Sequence, residues 1–345
     1  MKVIDCTDAA WNQYLSRMPQ NKRDVYFTAE YHDAYERNGD GKPQLFIFES
    51  HGELGLYPFL INTVPDCGFS RQYYDIQSVY GFSGPLSTTD DPGFLRCFEE
   101  TFLDYARNVG IVAEFIRFHP LLANHDSFSN SIEISADRQT VVLNMQNDLE
   151  HMLTYQISPL GRRNIRIAER RKLHATVSSN WRLFKKLYTK TMQELGANDY
   201  YFFSDPYFNS ITGMDSTFII EILKDDIVIA SGLFIFSSDY CHYHLGCSDK
   251  SFLSYRPVNL LLWEAIKNAK QRECRYFHFG GGRTTCPDDS LLSFKANFSK
   301  DRAVFYIGKR VHKPEIYNAL IGEWEQKHSK PATMLLEYRN NSKGR

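Results

Sequence analysis

The sequence has no apolar run approaching the roughly 18 residues that a membrane-spanning helix needs, so no part of it is expected to cross a bilayer. Its first residues, Met1 to Asp5, lack a basic region followed by an apolar stretch, which argues against a secretory leader and for a cytoplasmic protein. The seven cysteines (Cys6, Cys67, Cys97, Cys241, Cys247, Cys274 and Cys286) are odd in number and contain no C-x-x-C pair. That spacing suits neither a disulfide framework nor a zinc site, and the thiols are expected to be reduced and structural. An excess of one charge sign is absent too. With 40 Lys and Arg against 41 Asp and Glu, the net charge is −1, and the molecule as a whole offers nucleic acid no general attraction.

What is present points to a globular chain. At 345 residues it is long for one hydrophobic core, and 43% hydrophobic with 23% charged residues is a folding composition, so two domains are the starting expectation. Aromatic residues make up 14% and gather at Tyr73-Tyr74, Tyr200 to Phe203 and Tyr276 to Phe279, as in a large core or a ring-lined cleft. The charge, balanced overall, is uneven locally: basic residues cluster between Arg162 and Lys190.

The first half reads as a helix from Thr28 to Arg37 and a hairpin of Gln44 to Glu49 with Leu56 to Thr63. A Gly/Ser/Pro-rich aromatic loop from Tyr73 to Ser87 follows, then a helix from Gly93 to Asn108, a strand from Val112 to Phe118 and a strand from Thr140 to Asn144 that closes this half. In the second half, Ser158-Pro159 is an N-cap with a first-turn proline and starts a basic helix. Beyond it come a strand at Ala175 to Ser178, helices at Trp181 to Leu195 and Asp205 to Ile211, and strands at Thr217 to Leu223, Val228 to Phe236 and Cys241 to Cys247, the first two joined at Asp225-Asp226. A helix from Pro257 to Arg272, a strand from Tyr276 to Phe279, a helical segment from Asp289 to Phe298 and a strand from Ala303 to Gly308 complete it. Lys309 to His328 is expected to be one helix that packs back.

The second-half order is that of the GNAT acyltransferases, and the first half repeats it in degraded form. With the segments YYDIQSVYGFSGPL (Tyr73 to Leu86), CHYHLGCSD (Cys241 to Asp249), NLLLWEAIKNAKQRECRYFHFGGGR (Asn259 to Arg283), SLLSFKANFS (Ser290 to Ser299) and FYIGKRVH (Phe305 to His312), the chain resembles the Fem family of aminoacyltransferases and its looser relatives from polysaccharide gene clusters. The resemblance implies an α/β (α+β) fold of two tandem GNAT-like domains, each a mixed, mostly antiparallel sheet flanked by helices. The expected boundaries are 1–147, 148–312 for the domain carrying the reaction centre, and 313–345 for a C-terminal helix and tail. It also implies acyl or aminoacyl transfer to an amino group of a cell-envelope sugar, glycan or peptidoglycan precursor. Two alternatives stand beside this: tRNA-dependent aminoacyl transfer to a peptide or protein, and a non-catalytic glycan- or nucleic-acid-binding module. No tightly bound cofactor is expected, and the donor is acyl-CoA or aminoacyl-tRNA. The implied partners are a small-molecule or lipid-linked glycan acceptor, tRNA, and a peripheral contact with the inner membrane.

Several residues are candidates for the chemistry. Phe294-Lys295 matches the family's Phe-Lys pair, which implies an aromatic stack on the donor's base and a cation near the ester under attack, where charge develops on the carbonyl oxygen. The chain departs from ordinary GNAT enzymes at Ser254-Tyr255-Arg256-Pro257-Val258-Asn259. It has no glycine there, and a proline removes one amide donor. Tyr255, Arg256, Asn259 and the remaining helix amides are then the candidate donor site, against a plain helix start. His242 and His244 alternate along a strand; His244 is a candidate general base, or a hydrogen-bonded core residue. Gly281 and Arg283, in the triple-glycine turn, suit an approaching phosphate or an ordinary loop. Arg163, Arg166 and Arg170 share a helix face that reads as an anion groove or a solvated surface. In the aromatic loop, which the resemblance places near the acceptor together with its Tyr80 and Gly81, Asp75 is a candidate base or a turn cap. No metal site is expected.

Overall fold

A computed structural model describes residues 1–128, 132–286 and 288–339. The chain folds into two compact units. The first holds Met1–Lys22, Tyr26–Asp137 and the chain from Phe305 onward, and the second holds Arg23–Val25 and Arg138–Val304. The strands, in chain order, are β1 (Lys2–Asp5), β2 (Lys42–Ser50), β3 (Glu53–Thr63), β4 (Tyr74–Gln77), β5 (Leu86–Ser87), β6 (Ile111–Arg117), β7 (Glu133–Asn144), β8 (His174–Ser178), β9 (Thr217–Lys224), β10 (Ile227–Phe236), β11 (Tyr240–Ser248), β12 (Tyr276–Gly281) and β13 (Arg302–Val311).

In the first unit the strand order is β1-β2-β3-β4-β6-β13, with β5 beside β3. All neighbours run antiparallel except β4 and β6, which are parallel and therefore need a crossover, supplied by the helix Pro92–Val109. That helix turns Phe94, Phe98 and Phe102 inward, spaced four residues apart, onto Phe46, Tyr57 and Phe128. Beneath these rings lies a buried ionic cluster. Arg310 donates to Glu99 at 2.5 Å and to Glu114 Oε2 at 3.2 Å; His312 lies 3.0 Å from the same Oε2, and the Tyr57 hydroxyl donates to Glu114 Oε1 at 2.8 Å.

The second unit repeats this plan. Its strand order is β7-β12-β11-β10-β9-β8, antiparallel except for the parallel pair β11 and β12, and the helix Pro257–Gln271 makes the crossover. This helix is apolar nearly all round because it is sandwiched: Leu260, Leu261, Trp263 and Ile266 meet the sheet residues Phe218, Ile220 and Phe234, and the helix Pro159–Arg170 adds Ile165 and Ala168. Asp225 and Asp226 both take positive φ, +48° and +63°, as the tight hairpin between β9 and β10 requires.

Two parallel-crossover units of mixed, mostly antiparallel sheet flanked by helices are what the resemblance implied. The expectation of one helix from Lys309 to His328 is corrected. β13 runs on to Val311, pairing with β6 through Lys309 and Arg310, and the helix starts only at Pro314, where a first-turn proline costs no hydrogen bond. Among the described residues, no helix is long and apolar enough to cross a membrane.

Candidate active site

β11 and β12 pair at only three positions, Tyr240 with Tyr276, Cys241 with Phe277 and His242 with His278, although β11 continues to Ser248 and β12 to Gly281. Past these pairs the strands part, and ligands of open α/β sheets sit at the carboxyl ends of such strands. The register also slips between β10 and β11. Leu233 faces Leu245 and Phe234 faces Tyr243, so His244 is the extra residue of a bulge, which bends a strand and re-aims its side chains.

Lys295 reaches the point where the strands part. It is the last residue of the helix Ser290–Lys295, is only 8% exposed, donates to the Gly281 carbonyl at 2.7 Å and lies 5.9 Å from the Tyr243 ring centroid. Burial penalises its charged form and brings the amine down to about 7, against a weak opposing pull from Asp289. Lys295 is thus balanced between ammonium and free amine at neutral pH.

The surroundings are built to hold it there. The Asp289 carboxylate accepts from the Leu291 and Leu292 amides, capping the lysine's helix, and from the Arg283 and Thr284 amides and the Thr284 hydroxyl in the turn after β12. Those amide bonds, the Leu292 amide foremost, hold its carboxyl down at about 2. Arg138 fastens the same turn by donating to the Arg283 carbonyl at 3.2 Å. Gly280 has φ +75°, and a Cβ there would come within 3.3 Å of the Lys295 amine. Gly280→Ala is therefore expected to cost about 1–2 kcal/mol in backbone strain. Thermal melting should register it as a drop of about 2–8 °C, together with a displaced lysine.

His244 has a different setting. Its Nε2 lies 2.6 Å from the Tyr207 hydroxyl, both side chains are buried, and burial, with His242 adding to it, pushes the imidazole down to about 3. Of the two readings the sequence left for His244, this setting favours the hydrogen-bonded core residue over the general base. His242 is tied to Asp24 at 2.7 Å.

At the start of the crossover helix, Arg256 sits at the N-cap with φ +60° and gives no side-chain cap to the first-turn amides. Its neighbour Tyr255 carries the Arg171 guanidinium 5.2 Å from its ring centroid. Pro257 has no N–H and the Arg256 amide is bonded to the Leu253 carbonyl, so the Val258 amide, beside two guanidinium-bearing residues, is what this helix start offers an anion. The corresponding helix of the first unit is closed to anions, because Asp91 caps it and accepts from the Phe94 amide at 2.8 Å. Asn259 is buried and its amide is already bonded to the Arg256 carbonyl at 3.1 Å. Phe294 is half-buried against Phe298, 6.0 Å away. Arg163 and Arg166 are exposed on the helix Pro159–Arg170, while Arg162 turns inward to cap the Ile157 carbonyl at 2.7 Å.

The second unit therefore gathers Lys295, Gly281, Arg283 and His244 near the parting strands, and Tyr255, Arg256 and Asn259 at the crossover helix. Asp75 and Tyr80 belong to the first unit. Asp75 is fully buried, and Arg339 donates to both of its carboxylate oxygens in an ion pair. Tyr80 gives its carbonyl to the Tyr31 hydroxyl at 2.8 Å. Asp289, whose place before Ser290-Leu291-Leu292 is a readable cap signal, was open to sequence reasoning. Arg171 was not, since its partner Tyr255 is remote in sequence.

Residues 159–287 match the family model described as an acetyltransferase (GNAT) domain. No curated protein matches the chain in sequence. Among solved structures it is similar to FemX, at a TM-score of 0.68 and 13% identity over 92% of this chain and 99% of that one. It is similar to L-PGS from Bacillus licheniformis, at 0.56 and 14% identity over 89% and 92%. A conserved protein of unknown function from Bacteroides thetaiotaomicron matches at 0.59 and 8% identity over 90% and 99%. Residues 159–287 thus match a GNAT domain model, within a fold similar to that of FemX over nearly its whole length.

Proposed function

We propose that the protein is an N-acyltransferase that moves an acyl or aminoacyl group from an activated donor to an amino group of a cell-envelope sugar, glycan or peptidoglycan precursor. The observation that carries this reading is the buried Lys295 amine, poised at about 7 where β11 and β12 part. An acceptor amine arrives at neutral pH as an ammonium and must lose a proton to attack. Free Lys295 takes one proton from the ammonium, the neutral amine so formed attacks the carbonyl carbon, and the lysine ammonium faces the oxygen on which negative charge collects. As the tetrahedral intermediate collapses, its nitrogen gives its second proton to the departing thiolate or ribose oxygen, the donor's C–S or C–O bond breaks, and Lys295 returns its own proton to solvent. Attack is direct. The buried thiols Cys241 and Cys247 are pushed far above their ordinary range by burial, which removes them as nucleophiles.

Arg256, Arg171 and the Val258 amide at the start of the helix Pro257–Gln271 hold the donor's phosphates in this reading. Coenzyme A and the acceptor end of a charged tRNA both present such phosphates. The sequence segments that resemble the Fem family favour an envelope acceptor. Calorimetric titration with acetyl-CoA and, separately, with bulk aminoacyl-tRNA tests the assignment. Micromolar binding of either, weakened at least tenfold by Arg171→Ala with Arg256→Ala, supports it and identifies the donor. If neither donor binds, the assignment of this helix as the donor site fails.

A further inference from the structure

The segment from Arg162 to Lys190 carries ten basic residues and a single acidic one, in a chain whose net charge is −1. Part of that charge lies on the helix Trp181–Glu194, whose outward side presents Arg182, Lys185, Lys186 and Lys190 along an open groove of about 420 Å³. The only acidic residue of the helix is its last, Glu194. Lys185 and Lys190 are partly balanced by Asp205 and Asp249, whereas Arg182 and Lys186 are exposed, with Arg182 lying 4.6 Å from the Trp181 ring centroid.

Apolar side chains accompany this charge. Leu183 is 37% exposed on the helix, Leu195 at 50% follows its last residue, and Tyr201 at 39% and Phe202 at 37% lie six and seven residues further along the chain. Nucleic acid rewards lysine and arginine but gains nothing from exposed leucines. The boundary between lipid headgroups and acyl chains rewards both, with tyrosine and phenylalanine suited to that depth. Stable peripheral attachment needs two signals, a basic patch and an inserted apolar element, and this stretch of the second unit carries both.

We propose that the outward side of the helix Trp181–Glu194, with the apolar segment that follows it, docks the protein on an anionic phospholipid bilayer. The basic side chains meet lipid phosphates, while Leu195, Tyr201 and Phe202 enter the headgroup layer. The surface stands independently of the transfer chemistry, and lipid binding is measured without donor or acceptor.

The test is sedimentation of the full chain with phosphatidylcholine vesicles, with and without phosphatidylglycerol. The expected result is binding to the anionic vesicles only, weakening as salt screens the patch. Arg182→Glu with Lys186→Glu should lower the partition coefficient by about tenfold or more, at roughly fivefold per charge removed. Tyr201→Ser with Phe202→Ser should lower it several-fold while leaving the salt dependence intact. All four residues are exposed, so circular dichroism should show both variants folded. Failure to bind anionic vesicles, or equal binding by the wild type and the charge variant, overturns the proposal. So does binding of bulk tRNA that is lost in the charge variant and unchanged in the apolar one, which would assign the surface to nucleic acid.

Discussion

Lys295→Ala is expected to lower the rate of acyl transfer by roughly 10²–10⁴-fold, the usual worth of a positioned proton acceptor, while donor affinity changes little. Wild-type activity should rise with pH and level off above about 7, where the free amine predominates. A role as a permanent cation would give the opposite limb, with activity falling above that pH. The same burial makes a prediction about stability. The folded pKa is lowered, so the penalty on the charged form is fully present below about 7, shrinks as pH rises toward the ordinary lysine value of 10.5, and vanishes above it. Lys295→Met should therefore melt higher than the wild type near pH 7 and lose most of that advantage near pH 10, the familiar exchange of stability for function.

The largest loss of stability is expected from Arg310→Ala. Glu99, Glu114 and Arg310 are all at least 94% buried, and the arginine is the cation both carboxylates share. Removing one partner of a buried ionic group costs about 3–5 kcal/mol, because the carboxylates left behind are shut away from water and have lost the guanidinium they shared. Melting of the first unit should fall by about 6–20 °C. Burial alone would raise the Glu114 carboxyl, but Arg310 and His312 outweigh it and hold the group below its ordinary 4.5. Its contribution is thus fully present above that value and lost as pH falls through the lowered one. The difference in melting temperature between the wild type and Glu114→Gln should be full near pH 7 and should close in acid. A difference that stayed constant with pH would contradict the ionic account.

Elements with strong local signals were legible in the sequence. The hairpin of β2 and β3, the Ser158-Pro159 helix start, the double-aspartate turn and the apolar crossover helix each rest on residues within a few positions of one another. The first half of β7 was not legible. Glu133 to Gln139 alternates no apolar face toward a core and is exposed or half-exposed throughout, so no period-two pattern exists to find. The candidate site divides the same way. Lys295 entered through its Phe-Lys neighbourhood, but its burial depends on Gly281 and Tyr243, 14 and 52 positions away in the chain. Two charged candidates changed meaning once their partners were known. Asp75 is claimed by Arg339, 264 positions distant, and His244 is desolvated beside Tyr207. Such long-range pairing sets a side chain's charge state, and no local window of sequence contains it.

The central claim is that amine-dependent acyl transfer runs through Lys295. Its most direct test is consumption of donor, read as free thiol from acetyl-CoA or as deacylation of charged tRNA, in the presence of a mixture of amino sugars. The wild type and Lys295→Ala should be compared at pH 8. The account predicts that one donor is consumed only when amine is present, and that the variant binds it normally but is at least about a hundredfold slower. Equal turnover by the variant, or consumption of neither donor by the wild type, would contradict it.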